Sequence, residues 1–522
     1  MPGPDRSRAL DHVVVVMFEN RSFDNLLGRL YGPGEVRSFE GVIGKALSNP
    51  IPEWAEHGAD RGEVPYGVAP NMDTPNPDPG EEYQHVNTQL FGVVDPPENR
   101  GVLAERMVAP YNAPADGQTP TMNGFVADYI SAFTAETGRQ PTYEEYAQIM
   151  TGYTPEQMPV VSTLARGFAT FDHWFCEVPS QTFTNRSFFH SGTASGYVTN
   201  LFPSDAFPVH NTAQTIFDRL EARGLTWRVY CDPPALVPFT GVIHASRLRD
   251  RFENFHTTDQ FLEDAANGAL PTYSFIEPNL LHGHNDMHPA EGALFPGLAL
   301  DAPSSMLGGE ALLAKLYDAV RSSSSSTGSN AFNTLFMVNF DEHGGTYDHV
   351  PPPPAPPPDP SAPAGQCGFR FDRSGVRVPA IAISPWIPER TVVSDEHRNT
   401  SVIHTMREHW SLGAPFSGRE AAARDIAPVL SLDHPRDPAD WPDVDPQLVP
   451  AFDVALVPPD APLGPLAKAL FHGLLALGKQ LGQTVPEISP DATITGAEGR
   501  AIMVEEFAHM FPNLGDGHSP PH

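Results

Sequence analysis

Cysteine is scarce in this chain: Cys176, Cys231 and Cys367 are its three among 522 residues. An odd, sparse set makes no disulfide framework, although a single bridge is compatible with the spacing, and no C-x-x-C or Cys/His zinc pattern occurs. Cations are scarce as well. Lys and Arg number 32 against 64 Asp and Glu, for a net charge of −32. That balance excludes nucleic-acid binding through a basic face, because phosphates need cations. It also excludes electrostatic attraction to anionic lipid, and it fits a solvated acidic surface. No run reaches the roughly eighteen apolar residues that a membrane span requires. The N-terminal MPGPDRSRALDHVVVVMFEN does not read as a signal peptide: its apolar stretch is short and no small-residue cleavage site follows. The expected location is the cytoplasm, or outside the cell if a leader has been removed. The absence of a G-x-S-x-G elbow disfavours a serine hydrolase of that kind.

What the chain does have is alternation. HVVVVMF (12–18) is a short β-branched run that predicts a buried parallel strand. Further strands are expected at LTWRVYC (225–231), TYSFIEP (272–278), TLFMVNF (334–340) and VPAIAISPWI (378–387). Helices are expected at 125–133, within 159–176, and at 215–224, 309–323 and 400–410. Such alternation predicts an α/β fold with a mostly parallel central sheet and helices on both faces. Residues 49–121 read mostly as loop with short helices. SSSSSTGSN (322–330) reads as a flexible connector, and PPPPAPPPDP (351–360) as extended polyproline. The expected division is a catalytic domain over 8–435 and a small, partly helical C-terminal extension over 436–522 that ends in a flexible tail. Within the extension, 463–482 has apolar residues at helical spacing, which serves either a lipid contact or packing on the main domain.

Three expected strands run into acids or amides: Glu19 and Asn20, Glu277 and Asn279, and Asp341, Glu342 and His343. In open α/β sheets ligands bind beyond the carboxyl ends of the strands. Oxygens from distant parts of the chain would meet there, and a hard or borderline divalent cation offsets the repulsion among them. A single strand-end acid is more often a cap or turn former, and Glu277 is left out of the expected set for that reason. Gly344 and Gly345 after the second acidic cluster allow a sharp turn and a close approach.

VPSQTFTNRSFFHSGTASG (178–196) gathers Ser180, Thr182, Thr184, Asn185, Arg186 and His190 ahead of and within a helical pattern. A hydroxyl at a helix start sits where anions are favoured, and a neighbouring cation makes it a nucleophile. Asn185 or Arg186 suits phosphate oxygens. The alternative is an N-cap cluster in a surface turn. His85 in DPGEEYQHVNTQLFG and His282, His284 and His288 in HGHNDMHPA are candidates for protonating a leaving oxygen.

Together ENRSFDNLLG (19–28), PSQTFTNR (179–186), NDMHP (285–289), DEHGGTYDHVPPP (341–353) and FDRSGVRVPAIAISPWI (371–387) resemble the bacterial phosphoesterase family, in order, from about residue 8 to residue 430. That family holds non-specific phospholipases C and related acid phosphatases. The resemblance implies an alkaline-phosphatase-like α/β fold and metal-assisted phosphoester hydrolysis. Glu19, Asn20, Asp341 and Glu342 match metal ligands, with calcium, magnesium, manganese and zinc all admissible. Thr182 matches the hydroxyl nucleophile. His288 matches the histidine of the N-D-x-H-P motif, and His85 the one near the early Asp-Pro-Gly. Asn185, Arg186 and His343 are expected to contact substrate.

The chain departs from the pattern in three places. Glu81 stands where a plant-like pattern has His directly after Asp-Pro-Gly; Thr184 replaces Pro before Asn185–Arg186; Asn399 replaces a His before Thr400–Ser401. The expected function is a phospholipase-C-type hydrolase working through a phospho-threonine. An acid phosphatase acting on phosphomonoesters is the alternative within enzymes, and a metal-stabilised binding protein without turnover the alternative outside them. The expected partner is a lipid or small-molecule phosphoester, with no nucleic acid and at most transient contact with a membrane surface.

Overall fold

The computed structural model describes residues 6–115, 117–200, 203–233, 238–280, 284–289, 305–450, 463, 465–489, 492–495, 498–499, 501–502 and 510–514. Among them an eight-stranded sheet forms the centre. Its strands are β1 (His12–Phe18), β2 (Ala169–Phe171), β3 (Trp227–Cys231), β4 (Phe255–Thr257), β5 (Tyr273–Glu277), β6 (Thr334–Phe340), β7 (Ala380–Ile383) and β8 (Thr391–Val393). They lie in the order β8-β2-β7-β6-β1-β5-β3-β4. Every pairing is parallel except those of β7, which runs against both β6 and β2. The mostly parallel α/β sheet expected from the sequence is therefore present.

Burial of β1 and β6 explains their composition. Val14, Val15, Val16, Met17 and Phe18 are fully buried, as are Phe336, Met337 and Phe340, so both faces of these strands are covered. A two-sided core accepts an unbroken apolar run and needs no alternation. Each such side chain contributes about 1.5–3 kcal/mol on burial.

The helices that matter for the site are α1 (Tyr83–Phe91), α2 (Phe125–Thr137), α3 (Pro159–Gly167), α4 (Thr182–Ser191), α5 (Phe239–Ile243), α6 (Thr258–Asn267), α7 (Ser305–Ser322), α8 (Thr400–His409) and α9 (Pro465–Gln480). They fall into three groups that pack within themselves: α1 and α2 in one, α3, α6 and α7 in another, and α4, α5, α8 and α9 in the third. Leu466, Leu470, Phe471, Leu474 and Leu477 of α9 are buried in the main core, and Gly473 lies against Val242 of α5. Of the two uses considered for 463–482, packing is the one observed. A second apolar cluster, with Val86, Leu90, Phe125, Val126 and Tyr347, fastens α1 and α2 beside the sheet.

One expectation fails. The serine-rich 322–330 is not a flexible connector. Ser323 Oγ donates to the Ala265 carbonyl (2.7 Å), Ser329 N donates to the Gly268 carbonyl (3.1 Å), and Ser324 bridges Asn330. The small polar side chains saturate neighbouring backbone groups, so composition alone misleads there. Among the described residues no helix is long and apolar enough to cross a membrane.

Candidate functional site

The ends of β1 and β6 create the site. These strands pair in parallel with Phe18 opposite Phe340, so Glu19 and Asp341 leave the sheet side by side. Asn20 then takes φ 60°, and its N–H donates to Asp341 Oδ1 at 3.3 Å. Gly344 (φ +56°) lies so close that a Cβ there would enter the Asn20 backbone. At Gly345 (φ +63°) a Cβ would come 2.6 Å from the Gly80 carbonyl oxygen. Two glycines thus allow the 341–345 turn to touch both Asn20 and the segment that carries Glu81.

The third element is α4, whose first residue is Thr182. Thr182 Oγ1 donates to Glu19 Oε2 at 3.0 Å. Four residues on, Arg186 donates through Nε to Glu19 Oε1 at 2.9 Å, and its Nε is 3.7 Å from Asp341 Oδ2. Glu19, Asn20, Thr182, Arg186, Asp341 and Glu342 are all essentially inaccessible to solvent. Five of the residues expected from sequence therefore converge: Glu19, Asn20, Thr182, Asp341 and Glu342.

Electrostatics and hydrogen bonding both single out the groups here that could hold a cation. Burial is the main cause that pushes the carboxyls of Glu19, Asp341, Glu342 and Glu81 above the usual range. Their mutual repulsion adds to it for Glu19, Glu342 and Glu81. Asn20 Oδ1, Asp341 Oδ2 and Glu342 Oε1 are buried oxygens that no hydrogen-bond donor among the described residues reaches. Leaving three such acceptors bare costs on the order of 1–3 kcal/mol each, unless a ligand occupies them. An all-oxygen donor set suits a hard divalent ion.

The other expected site residues divide. His288 stands at the edge of the pocket, 4% exposed, with Nε2 4.0 Å from Glu81 Oε2. His343 Nε2 faces Gln89 Oε1 at 2.8 Å. Gln89 Nε2 donates to the Gly80 carbonyl and to Asp128, which identifies Oε1 as the acceptor and His343 Nε2 as the protonated nitrogen. His343 Nδ1 lies 3.2 Å from Glu342 Oε2 without hydrogen-bond alignment, and burial holds its pKa down at about 3. A neutral imidazole wedged between Gln89 and Glu342 supports the turn; it is not laid out as a phosphate donor.

Asn185 differs from its expected role. Its Oδ1 accepts from the Glu177 and Val178 N–H groups at 3.0 Å each, and its Nδ2 donates to the Ser180 carbonyl at 2.7 Å. The amide is spent on shaping the loop before α4. Arg186 likewise pairs with Glu19, which places it behind the nucleophile. His85 points elsewhere: its Nδ1 meets Asp128 Oδ1 at 2.8 Å, well packed beside Gly80. Burial disfavours its charge, but Asp128 outweighs that and holds the imidazole up at about 9. Glu277, left out of the expected set, accepts from Phe239 and Thr240 N–H at 2.9 and 2.7 Å and caps α5. His282 lies outside the described residues.

Glu81 is the residue that sequence reasoning passed over. Its Oε2 accepts from Asn20 Nδ2 and its Oε1 from Gln181 Nε2 at 3.3 Å. It is 6% exposed and neighbours Glu342. Its place directly after Asp78–Pro79–Gly80, where the plant-like pattern has His, was the available signal.

The chain is similar to several known proteins. The chain is 30% identical over 523 residues to non-specific phospholipase C6 of Arabidopsis thaliana, covering 95% of this chain and 88% of that one. It is 29% identical to non-specific phospholipase C3 of the same plant, over 87% of this chain and 79% of that one. It is 26% identical to phospholipase C B of Mycobacterium tuberculosis, over 84% of this chain and 81% of that one. A solved protein in the alkaline phosphatase superfamily from Vibrio parahaemolyticus aligns with 53% of this chain and 63% of its own, at 12% identity and a TM-score of 0.29. So partial a match says nothing of this chain's chemistry. The sequence profile described as the phosphoesterase family matches residues 10–413, and the chain belongs to that family of phosphoric ester hydrolases.

Proposed function

We propose that the protein is a metal-dependent hydrolase of phospholipase C type, cleaving phospholipids or related phosphodiesters with Thr182 as nucleophile. The observation that carries this is the buried Thr182 hydroxyl, 3.0 Å from Glu19, beside three buried oxygens that lack donors. The names of the relatives support the substrate class. Glu19, Asn20, Asp341 and Glu342 would hold a divalent cation, which offsets their repulsion, polarises a phosphoryl oxygen and lowers the hydroxyl pKa.

The chain's own residues do the rest. Arg186 fixes the Glu19 carboxylate through Oε1, so that Oε2 faces the hydroxyl. Glu19 Oε2 takes the proton as Thr182 Oγ1 bonds to phosphorus, and the bond from phosphorus to the alcohol oxygen breaks. The alkoxide leaves at the edge lined by Glu81 and His288 and takes a proton from water. The hydroxide left by that water then attacks phosphorus, the Thr182 ester bond breaks, and Thr182 recovers its proton from Glu19. The released product is the head-group phosphomonoester.

A substrate panel tests this. Diacylglycerol release from phosphatidylcholine should stop under chelator, return with a divalent cation, and fall by several orders of magnitude in Thr182→Ala. Full activity in that variant overturns the covalent step. Chelator-sensitive hydrolysis of p-nitrophenyl phosphate with no diacylglycerol release assigns the same machinery to a phosphomonoesterase. Cation binding with no turnover on any phosphoester leaves a binding protein.

A further inference from the structure

Loop 93–114 lies against α1 and carries an apolar tip that nothing covers. Val108 is 53% exposed, Ala109 and Pro110 are exposed, and Tyr111, Ala113 and Pro114 are half-buried. From Met107 to Ala115 the sequence reads MVAPYNAPA, nine residues without a charge in a chain of net charge −32. A single exposed apolar side chain is ordinary; a run of them at one tip marks a contact surface.

The tip is held firmly. Its two turns are closed by Tyr111 N on the Val108 carbonyl (3.0 Å) and by Ala113 N on the Pro110 carbonyl (3.1 Å). Asn99, buried, accepts from Val108 N at 2.8 Å and donates to the Val108 carbonyl at 2.9 Å. Asn112, also buried, donates to the Gln84 carbonyl and to Thr88 Oγ1 of α1 at 3.2 and 3.0 Å. These bonds fix the backbone while the Val108 side chain faces solvent.

Position gives that exposure a meaning. Asn87 of α1 donates to the Tyr111 carbonyl at 3.1 Å. Asn87 stands four residues, about 6 Å, along α1 from Tyr83, and Glu81 at the pocket edge lies two residues before Tyr83. The tip therefore borders the pocket of the proposed reaction. Arg373 stands beside it. Its Nη2 donates to Asn87 Oδ1, and its guanidinium lies 4.9–5.6 Å from the rings of Tyr83, Phe91 and Phe369. Its Nε has no acceptor among the described residues. A bilayer offers both counterparts: an acyl region for apolar side chains and phosphates for a guanidinium. The net charge of −32 opposes anionic lipid, so a zwitterionic surface is the one that fits.

We propose that the 108–111 tip docks on zwitterionic phospholipid bilayers, seating Val108, Ala109 and Pro110 in the outer acyl region and Arg373 at the level of the phosphates. Tyr111 then stands at the boundary, where tyrosine is favoured. The inference rests on the phospholipase reading above and names the surface from which that pocket draws its substrate.

Two measurements on the full-length chain test it and separate docking from reaction. The first is binding without turnover: Thr182→Ala protein is sedimented with phosphatidylcholine vesicles, alone and with Val108→Asp or Val108→Ser added. Each added substitution should weaken binding about tenfold, the factor for withdrawing one valine side chain from an apolar phase, with Tm unchanged. The second is turnover with Thr182 intact. Val108→Asp should lose about tenfold on phosphatidylcholine vesicles and nothing on dihexanoyl phosphatidylcholine kept monomeric. Equal vesicle binding with and without the Val108 substitutions overturns the docking, as does binding that requires phosphatidylserine. Equal turnover losses on vesicles and monomers overturn it too, whether or not the Thr182→Ala protein folds. Self-association in sedimentation velocity that Val108→Asp abolishes, with no vesicle binding, also overturns it and assigns the tip to a second copy of the chain. Weakened vesicle binding in the Val108 variants, with neither lipid hydrolysed by the intact chain, supports the docking and overturns the phospholipase reading instead.

Discussion

Buried charge is costly wherever it occurs in this protein, and single residues show how each case is met. Around Thr182 the proposed answer is a cation; around His85 it is an ion pair. His85 and Asp128 sit 2.8 Å apart in the second apolar cluster, and the imidazole is held up at about 9 from its ordinary 6.5. The folded state therefore binds this proton more tightly than the unfolded chain. The stabilisation from His85 is present by about pH 6.5 and fades as pH rises through about 9, while burial, which pushes the Asp128 carboxyl up, weakens the pair again in acid. The stability gap between wild type and Asp128→Asn should be on the order of 3 kcal/mol at pH 6 and close toward pH 9.5. Urea denaturation at a series of pH values measures it, and a gap that widens with pH contradicts the assignment. Proximity in sequence suggested that His85 serves the site. What overrode it was a carboxylate 43 residues away on α2, a partner that no local pattern reveals.

Strands β1 and β6 were legible because an apolar β-branched run admits few alternatives, and the acids at their ends followed from where open α/β sheets bind ligands. The helix that carries Thr182 was legible for its start, not for its internal bonding. Asn185 reads as a polar group free for phosphate, yet backbone N–H groups of the preceding loop claim it. Strand β4 is three residues long, too short to show a period, and was missed together with helix α6, although Phe261 and Ala265 of α6 stand buried at helical spacing. The turn between Asp341 and Gly345 is the element on which the site's geometry depends. Gly344→Ala should strain a positive φ and drive a methyl into Asn20. Displacing Asn20 by an ångström is expected to reduce kcat/KM on the order of a hundredfold, with a smaller loss in Tm. A variant with normal kinetics would show that the close approach at Gly344 is not needed.

Over the full chain, the family match ends at residue 413 while the apolar core does not. Helix α9 contributes Leu470, Leu474 and Leu477 to that core. A helix serving as a lipid contact would instead present those side chains outward. Leu474→Ala should cost about 2–5 kcal/mol in stability and leave the ratio of phosphatidylcholine to p-nitrophenyl phosphate hydrolysis unchanged. A selective loss of phosphatidylcholine hydrolysis, at unchanged stability, would return α9 to the lipid surface. The net charge of −32 bears on the same question, since it gives no electrostatic help toward anionic bilayers.

The proposed chemistry turns on whether Thr182 becomes covalently bound to phosphorus. Acid quench during turnover of phosphatidylcholine, followed by peptide mass spectrometry, examines that bond directly. A phosphocholine adduct on Thr182 is expected in the metal-loaded wild type, and none after chelation or in Asp341→Asn. Undiminished turnover with the Thr182 peptide unmodified at every quench time, joined to full activity in Thr182→Ala, would contradict it.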